Sequence, residues 1–337
     1  MKYNFIILGS PWEFYTNASY KDVINLSNVE YRSCITNNFV LRKLINLHHN
    51  VRLNKIINIP YKNIYNYLLI KNPFDKNDKL CYVVFYDWIC RNIKVLETIR
   101  KIYPNAKIVV VFNDLIRAKR LNYTNAPIDI KRLKSLCNLI ISFDFEESKI
   151  FGLEYHSVPY SKPQAVGNYI EDICKPEYDV YFLGQAKNRL SRIMATYHAL
   201  KSMHLKLNFI LANVPFKNRI DQTDIKYIDG VGISYNENIH HICNSRCLLE
   251  IMQQNGTGYT SRTLEAIAYG KKLLTDNSNI IDAPFYNKKY ISYFKSPEMI
   301  DNIFANHIVS DDSFIDYKYI DNLSPIKFLE FIEHYLI

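Results

Sequence analysis

Gly258, Tyr259, Thr260, Arg262 and Glu265 fall within one short stretch and could do chemistry together. They belong to Leu248–Asn277, which reads LLEIMQQNGTGYTSRTLEAIAYGKKLLTDN. The backbone of Gly258, Tyr259 and Thr260 can offer N–H groups, and the start of a helix adds its positive end, so this turn suits an anion such as a phosphate. Arg262 places a cation beside that anion, and Glu265 places a carboxylate within reach of a ligand's paired hydroxyls. An ordinary crossover without ligand can use the same glycine turn, so the motif by itself settles nothing.

Four further positions carry charge where chemistry would need it. Lys187 and Arg189 stand in the polar turn GQAKNR, straight after an apolar run, and put two cations in one loop. Asp87 ends the run LCYVVFY, and Glu13 follows the first apolar run in GSPWEF. Either could act as a general base. A carboxylate that merely caps a helix or turn is the plainer reading of both.

These residues need strands and helices to position them. The run at 248–252 is a strand, Gln253–Gly258 a turn, and a helix capped by Thr260 or Ser261 puts Leu264, Ile267 and Ala268 on one face and stops at Gly270. Lys272–Thr275 is the next strand, which completes a βαβ unit. Upstream, strands are expected at Asn4–Leu8, Leu80–Tyr86, Lys107–Phe112, Val180–Leu183 and Leu207–Leu211. Helices are expected at Phe39–Leu47, with Leu41, Leu44, Ile45 and His48 on one side, and at Ile93–Ile102, Asp144–Ile150 and Tyr235–Asn244. Asp144 and Glu147 have capping-box spacing, and Ser296-Pro297 and Ser324-Pro325 each read as an N-cap followed by proline. Such alternation predicts α/β architecture with two doubly wound, Rossmann-like domains facing a central cleft. The boundaries read as 1–160 for a first domain, 161–178 for a proline-bearing linker and 179–337 for a second, with the last helix free to pack back on the first domain.

Composition narrows the class. A hydrophobic fraction of 48% with 22% charged residues excludes wholesale disorder. No apolar run reaches the roughly 20 residues of a membrane span, and the first residues lack a secretory pattern. The seven cysteines are scattered without a C-x-x-C pair, which suits free thiols in a reducing cytoplasm. Residues 1–165 hold 24 Lys+Arg against 13 Asp+Glu, a balance of +11, while the remainder sums to −2. A basic half suits an anionic partner such as a membrane leaflet, a phosphate-linked acceptor or nucleic acid, and a plain solvated surface equally.

This order of features resembles the GT-B class of glycosyltransferases, and is similar to the bacterial members that build capsule, exopolysaccharide and lipopolysaccharide. The resemblance covers Asp179–Tyr290 best, through DVYFLGQAKNRLSRI and the stretch quoted first, and IILGS, YVVFYDW, NAKIVVVFND and LIISFDFEESKIFGLEY more weakly. It implies a cytoplasmic enzyme, working at the inner face of the plasma membrane, that moves a sugar from a nucleotide-sugar to a glycan or lipid-linked glycan. It implies that Glu265 holds the ribose, that Gly258, Tyr259 and Thr260 meet the diphosphate, and that Lys187 and Arg189 neutralise it. Arg262 either serves the phosphates or braces Glu265. Asp87 and Glu13 are the candidates for the base. Many retaining members carry a first glutamate where this chain has Thr257, so inversion and retention both stay open. Asp144-Phe145-Glu146 and Asp311-Asp312 make no convincing metal motif, and a mechanism without metal or other cofactor is expected. His156, His240 and His241 read as packing or surface residues. No nucleic-acid partner is expected, yet two rivals remain: a basic protein that binds nucleic acid without catalysis, although no RNA-binding signature supports it, and a sugar-nucleotide epimerase of the same fold.

Overall fold

The structure is a computed structural model that describes residues 1–10, 12–33, 39–48, 53, 56–57, 64–75, 77–119, 126–163, 176–230 and 232–337. The chain forms two compact units, Met1–Ser161 with Ser324–Ile337, and Lys162–Leu323. Most of the linker expected over 161–178 lies outside the described residues.

In the first unit, β1 (Asn4–Gly9), β2 (Val29–Ser33), β3 (Leu80–Phe85), β4 (Lys107–Phe112), β5 (Leu139–Ser142) and β6 (Glu154–Tyr155) make one sheet in the order β2-β1-β3-β4-β5-β6. Every pairing in it is parallel. The central strands are buried on both faces, which is why NFIILG, LCYVVF and KIVVVF are nearly unbroken apolar runs. Alternation divides them between two cores. Ile6, Leu8, Tyr82, Val84, Ile108 and Val110 pack with Leu96, Ile99 and Leu133 on one face. Phe5, Ile7, Val83, Phe85, Val109 and Val111 pack on the other with Phe328, Leu329 and Ile332. Those last three belong to the final helix, Pro325–Leu336, whose N-terminus Ser324 caps by accepting the Ile326 N–H. Glu333 of that helix accepts the backbone N–H groups of Lys2 and Tyr3. His156 is gripped between the rings of Phe328 and Phe331, and burial holds its pKa below the usual histidine range.

The second unit holds β7 (Tyr178–Gln185), β8 (Leu207–Ala212), β9 (Ile225–Ile228), β10 (Ser245–Glu250), β11 (Lys272–Thr275) and β12 (Ile291–Tyr293). Their order is β12-β11-β10-β7-β8-β9, again parallel throughout. Both units are thus α/β with a parallel sheet. In the second, the chain winds outward from β7 through β8 to β9, then returns to place β10 on the other side of β7. The gap between the carboxyl ends of β7 and β10 is therefore a topological switch point, where open α/β sheets bind ligands.

Several local expectations change. Leu44 is exposed while Ile45 is buried, so the helix Phe39–His48 does not set both on one buried side. Asp144 caps its helix by accepting the Glu147 N–H at 3.0 Å, but Glu147 does not return the bond. Its buried carboxylate takes the N–H groups of Ile116 and Arg117 and the Arg117 side chain. A neighbouring turn with unpaired N–H groups outcompetes the local cap for it. Ser296 caps nothing with its side chain, and Pro297–Met299 is only a short 3-10 turn. Among the described residues, no helix is long and apolar enough to cross a membrane.

Candidate functional site

The two charged stretches singled out in the second unit lie at the two strands flanking its switch point. Lys187–Arg189 form a 3-10 turn just after β7, and residues 251–260 form the loop after β10 that leads into the helix Ser261–Ala268. β7 pairs directly with β10, so the two loops meet at one sheet edge. Side chains join them. Lys187 Nζ donates to Gln253 Oε1 at 3.0 Å, Asn188 Nδ2 donates to Gln254 Oε1 at 3.0 Å, and Arg189 Nη1 donates to the Ile251 carbonyl. Each loop also contains a non-glycine residue in the left-handed region, Lys187 at φ 43° and Asn255 at φ 65°. Asn tolerates that conformation, whereas for Lys it is uncommon and is held by its surroundings.

Beneath the loop lies a carboxylate that sequence reasoning passed over. Glu250, at the end of β10, is buried and accepts three threonine hydroxyls: Thr260 and Thr263 on Oε1 at 2.5 and 2.8 Å, and Thr275 on Oε2 at 2.5 Å. Thr260 is also the helix N-cap, accepting the Arg262 N–H at 3.2 Å. Its hydroxyl hydrogen and its cap lone pair are both committed, which leaves its backbone as what it can offer an anion. The other end of the loop is tied down by Asp276, which accepts the Met252 N–H at 2.7 Å and pairs with Arg192 at 2.5 Å. Asn277 and Asn279 donate to the carbonyls of Gly258 and Thr257, each at 3.1 Å. The only sequence signal for Glu250 was a lone acid closing an apolar strand; its threonine partners are spread over 15 positions and cannot be read from spacing.

Gly258 and Tyr259 are buried, and the Tyr259 ring packs edge-on against Phe285 at 5.0 Å. Arg189 is half-buried. Burial lowers its pKa, and the nearby Asp276 and Glu250 carboxylates oppose that; a guanidinium stays charged regardless. Lys187, Arg189 and Arg192 thus outnumber the two carboxylates at this edge, which favours an anionic ligand.

Arg262 and Glu265 occupy a different layer. Glu265 is 1% exposed and Arg262 9%. Arg262 Nη1 lies 2.7 Å from Glu265 Oε2 as an ion pair, and Arg262 Nη2 and Asn238 Nδ2 donate to Oε1 at 3.1 and 2.9 Å. Tyr181 OH and Arg262 Nη1 both donate to Asn238 Oδ1, at 3.0 and 3.2 Å. Burial raises the Glu265 pKa, against the opposing pull of Arg262 and Asn238. The structure therefore shows Arg262 bracing Glu265, with Tyr181 and Asn238 as partners that no sequence motif announced.

In the first unit, the sheet order reverses at β1 and β3, and the two base candidates follow these strands. Glu13 is exposed, four residues beyond β1. Asp87 is in the first turn of the helix Tyr86–Asn92, which starts directly at the end of β3. The edge between them is tightly built. Trp88 Nε1 donates to the Gly9 carbonyl at 3.0 Å, and a Cβ on Gly9 would meet the Tyr31 ring at 2.2 Å. Asp87 shares its neighbourhood with Asp114. Burial pushes the Tyr15 phenol well up and the Cys90 thiol to about 11, both carboxylates add to each shift, and Lys119 opposes the shift on Cys90.

The cavity lined by Arg246, Tyr269, Lys271, Lys272, Asp312 and Phe314 lies at the opposite, amino-terminal end of β10 and β11. Arg246 there bridges Asp179 and Asp312, each at 2.6 Å, and Lys272 Nζ donates to the carbonyls of His307 and Ile308. Among the described residues, no three His, Cys, Asp or Glu side chains gather into a set that could hold a metal ion.

No protein-family model matches the sequence, and no curated protein matches it. Solved structures do. One is an alpha-glucosyltransferase in complex with UDP and a 13-mer DNA containing a central A:G mismatch, at TM-score 0.53 and 11% identity over 76% of this chain and 80% of that one. Another is an alpha-glucosyltransferase in complex with UDP-glucose and DNA containing an abasic site, at TM-score 0.50 and 11% identity over 77% and 80%. At such identity the likeness is one of fold: two units, each α/β with a parallel six-stranded sheet.

Proposed function

We propose that the protein is a glycosyltransferase that takes its sugar from a nucleotide-sugar bound at the β7–β10 edge. The observation that carries this reading is the meeting of the Lys187–Arg189 turn with the 251–260 loop at the switch point of the second unit. In this reading the backbone at Gly258, Tyr259 and Thr260 and the helix start receive the diphosphate. Lys187 and Arg189 offset the charge that develops on the leaving diphosphate, the main electrostatic lever for this chemistry. Arg262 braces Glu265, and Glu265 meets the ribose hydroxyls once Arg262 gives way to the nucleotide. Asp87 or Glu13 removes the acceptor's proton if the reaction inverts; Thr257, in place of a first glutamate, leaves retention equally open.

For the acceptor we propose a bacterial surface glycan, such as a capsule or lipopolysaccharide precursor, held at the cytoplasmic membrane face. Support comes from the sequence resemblance and from the +11 balance of residues 1–165. A second reading makes the acceptor a nucleic acid. Its motive is the same charge together with the DNA present in both neighbours' complexes.

A thermal-shift panel of UDP-, GDP-, CMP- and dTDP-sugars tests the donor. At 100 times its Kd, the true donor should add about 2.7 kcal/mol of stability. No response to any of them sinks the enzyme reading. With the donor known, transfer to a lipid-linked glycan or to DNA decides between the acceptors.

A further inference from the structure

We infer that His241 is a positioning residue for the donor, setting the Glu265 carboxylate through Tyr181 and Asn238; the inference rests on the donor reading above. His241 and Asn238 lie three positions apart on the helix Tyr235–Cys243 and so share one face. That face meets β7 and β8, where Tyr181 and Asn208 are register partners. The His241 ring stacks on the Tyr181 ring, with centroids 5.3 Å apart and planes 26° from parallel. Asn208 Nδ2 lies 2.9 Å from His241 Nδ1. An amide nitrogen only donates, so Nδ1 accepts and the ring is neutral, with its proton on Nε2. Tyr181 is fully buried and passes the constraint on. Its hydroxyl donates to Asn238 Oδ1 at 3.0 Å, and Asn238 Nδ2 donates to Glu265 Oε1 at 2.9 Å. One stacked contact and two hydrogen bonds thus connect a half-buried imidazole with the carboxylate assigned to the ribose.

This connection matters more once the donor is in place. Without it, Arg262 also donates to Asn238 Oδ1, at 3.2 Å, and pairs with Glu265. When Arg262 gives way to the nucleotide, Tyr181 OH is, among the described residues, the donor left on Asn238 Oδ1, and it keeps the amide turned so that Nδ2 faces Glu265. A support that acts more strongly in the bound state than in the free state contributes to affinity. Neutrality of the ring is part of the arrangement. Facing His241 are Glu237, 3.9 Å from Nε2, and His240 on its own helix, with Lys226 of β9 paired to Glu237 at 3.2 Å. Glu177 stands just before β7, and the Arg262 guanidinium lies 5.8 Å from the centre of the Tyr181 ring. Burial holds the His241 pKa below the usual 6.5; Glu237 and Glu177 oppose that, while His240 and Lys226 add to it. Protonation puts a donor on Nδ1 against the Asn208 amide and a second cation beside the Tyr181 ring, so the support is lost. Donor affinity is therefore flat above the usual histidine range and falls as pH drops through the His241 pKa beneath it.

Calorimetric titration of the full chain from about pH 8 to about pH 5 tests this, with the UDP-, GDP-, CMP- or dTDP-sugar that most stabilises the parent. A nucleotide-sugar serves because its phosphates are diesters and do not titrate in this range, whereas the terminal phosphate of a free nucleotide does. His241→Ala should raise the Kd about fivefold at the alkaline end, as expected for loss of a stacked aromatic pair. His241→Phe restores the ring without its titration. It should recover most of that affinity and show no loss at the acid end, where the parent should lose about threefold or more. Asn208→Ala removes the bond that favours the neutral ring, and should move the parent's profile to higher pH. Thermal unfolding checks that each variant is folded; if His241→Ala is not, the profiles of the parent, His241→Phe and Asn208→Ala decide. An unchanged Kd in folded His241→Ala overturns the inference and leaves the donor reading standing. So does a His241→Phe variant that binds no better than His241→Ala, or one that shares the parent's pH profile. A folded parent that binds none of the nucleotide-sugars overturns both.

Discussion

Glu265 carries two demands at once, because the carboxylate nearest the proposed ribose site is also the counter-ion of a buried arginine. Removing one member of a buried pair strands the other, at a cost of about 3–5 kcal/mol. Glu265→Ala should therefore lower the denaturation midpoint strongly, and lost nucleotide binding in that variant alone would not prove contact. Glu265→Gln separates the roles, since it keeps the shape and the bond from Asn238. The pH dependence follows from the raised pKa. In the window that opens at the usual carboxylate value of 4.5 and extends up to the folded value, the folded state holds the proton more firmly than the unfolded chain. Stability from this group must then fall as pH rises through that window. Chemical denaturation of wild type and Glu265→Gln across it should show the slope in the wild type alone; parallel curves would mean that the Arg262 pair outweighs the desolvation.

At the scale of elements, the loop after β10 is shaped by what lies under it. Glu250 collects the hydroxyls of Thr260, Thr263 and Thr275, and so fixes the helix start, the helix body and the next strand around one carboxylate. Bonds to a charged acceptor are worth about 1.5–3 kcal/mol each. Glu250→Ala removes three such bonds and should cost about 4.5 kcal/mol of stability or more, and in the fraction that stays folded it should raise the Kd for the nucleotide-sugar about tenfold. Glu250→Gln, with one oxygen left as acceptor, should recover part of both. Calorimetric titration checks this, and an unchanged Kd in Glu250→Ala would show that the loop needs no clamp. The legibility of the chain divides along the same line. Strand runs such as KIVVVF, the Thr260 cap and the Gly270 stop could be read because each depends on residues a few positions apart. Glu250 with its threonines, Asn238 with Glu265, and Glu147 with the 116–117 turn could not, because their partners are distant in sequence and are joined only by the sheet order. The edge strands β2, β6, β9 and β12 escaped notice for another reason: they are short and only partly buried, so their sequences lack the apolar run that marks a central strand.

At the scale of the whole molecule, the chain leaves its first unit near Ser161 and returns to it at Ser324, so the last 14 residues complete a core begun at the first strand. Phe328, Leu329 and Ile332 are buried on one face of the first sheet, and Glu333 holds the amino-terminal backbone. Burial of three such side chains is worth roughly 2 kcal/mol each, about 6 kcal/mol together. That is comparable with the entire stability of a typical domain, about 5–15 kcal/mol. A chain ending at Leu323 should therefore lose the cooperative unfolding of the first unit while the second still folds, because the described core of the second sheet is built from residues 180–308. Differential scanning calorimetry with and without UDP reads both parts of the expectation. One transition should vanish or fall steeply in temperature, and the surviving one should still rise with nucleotide, because the β7–β10 edge lies wholly in the second unit. A truncated chain that keeps the full unfolding enthalpy would show that the helix adorns the first core without completing it. Loss of the nucleotide response, with the second transition intact, would place part of the donor site outside the second unit.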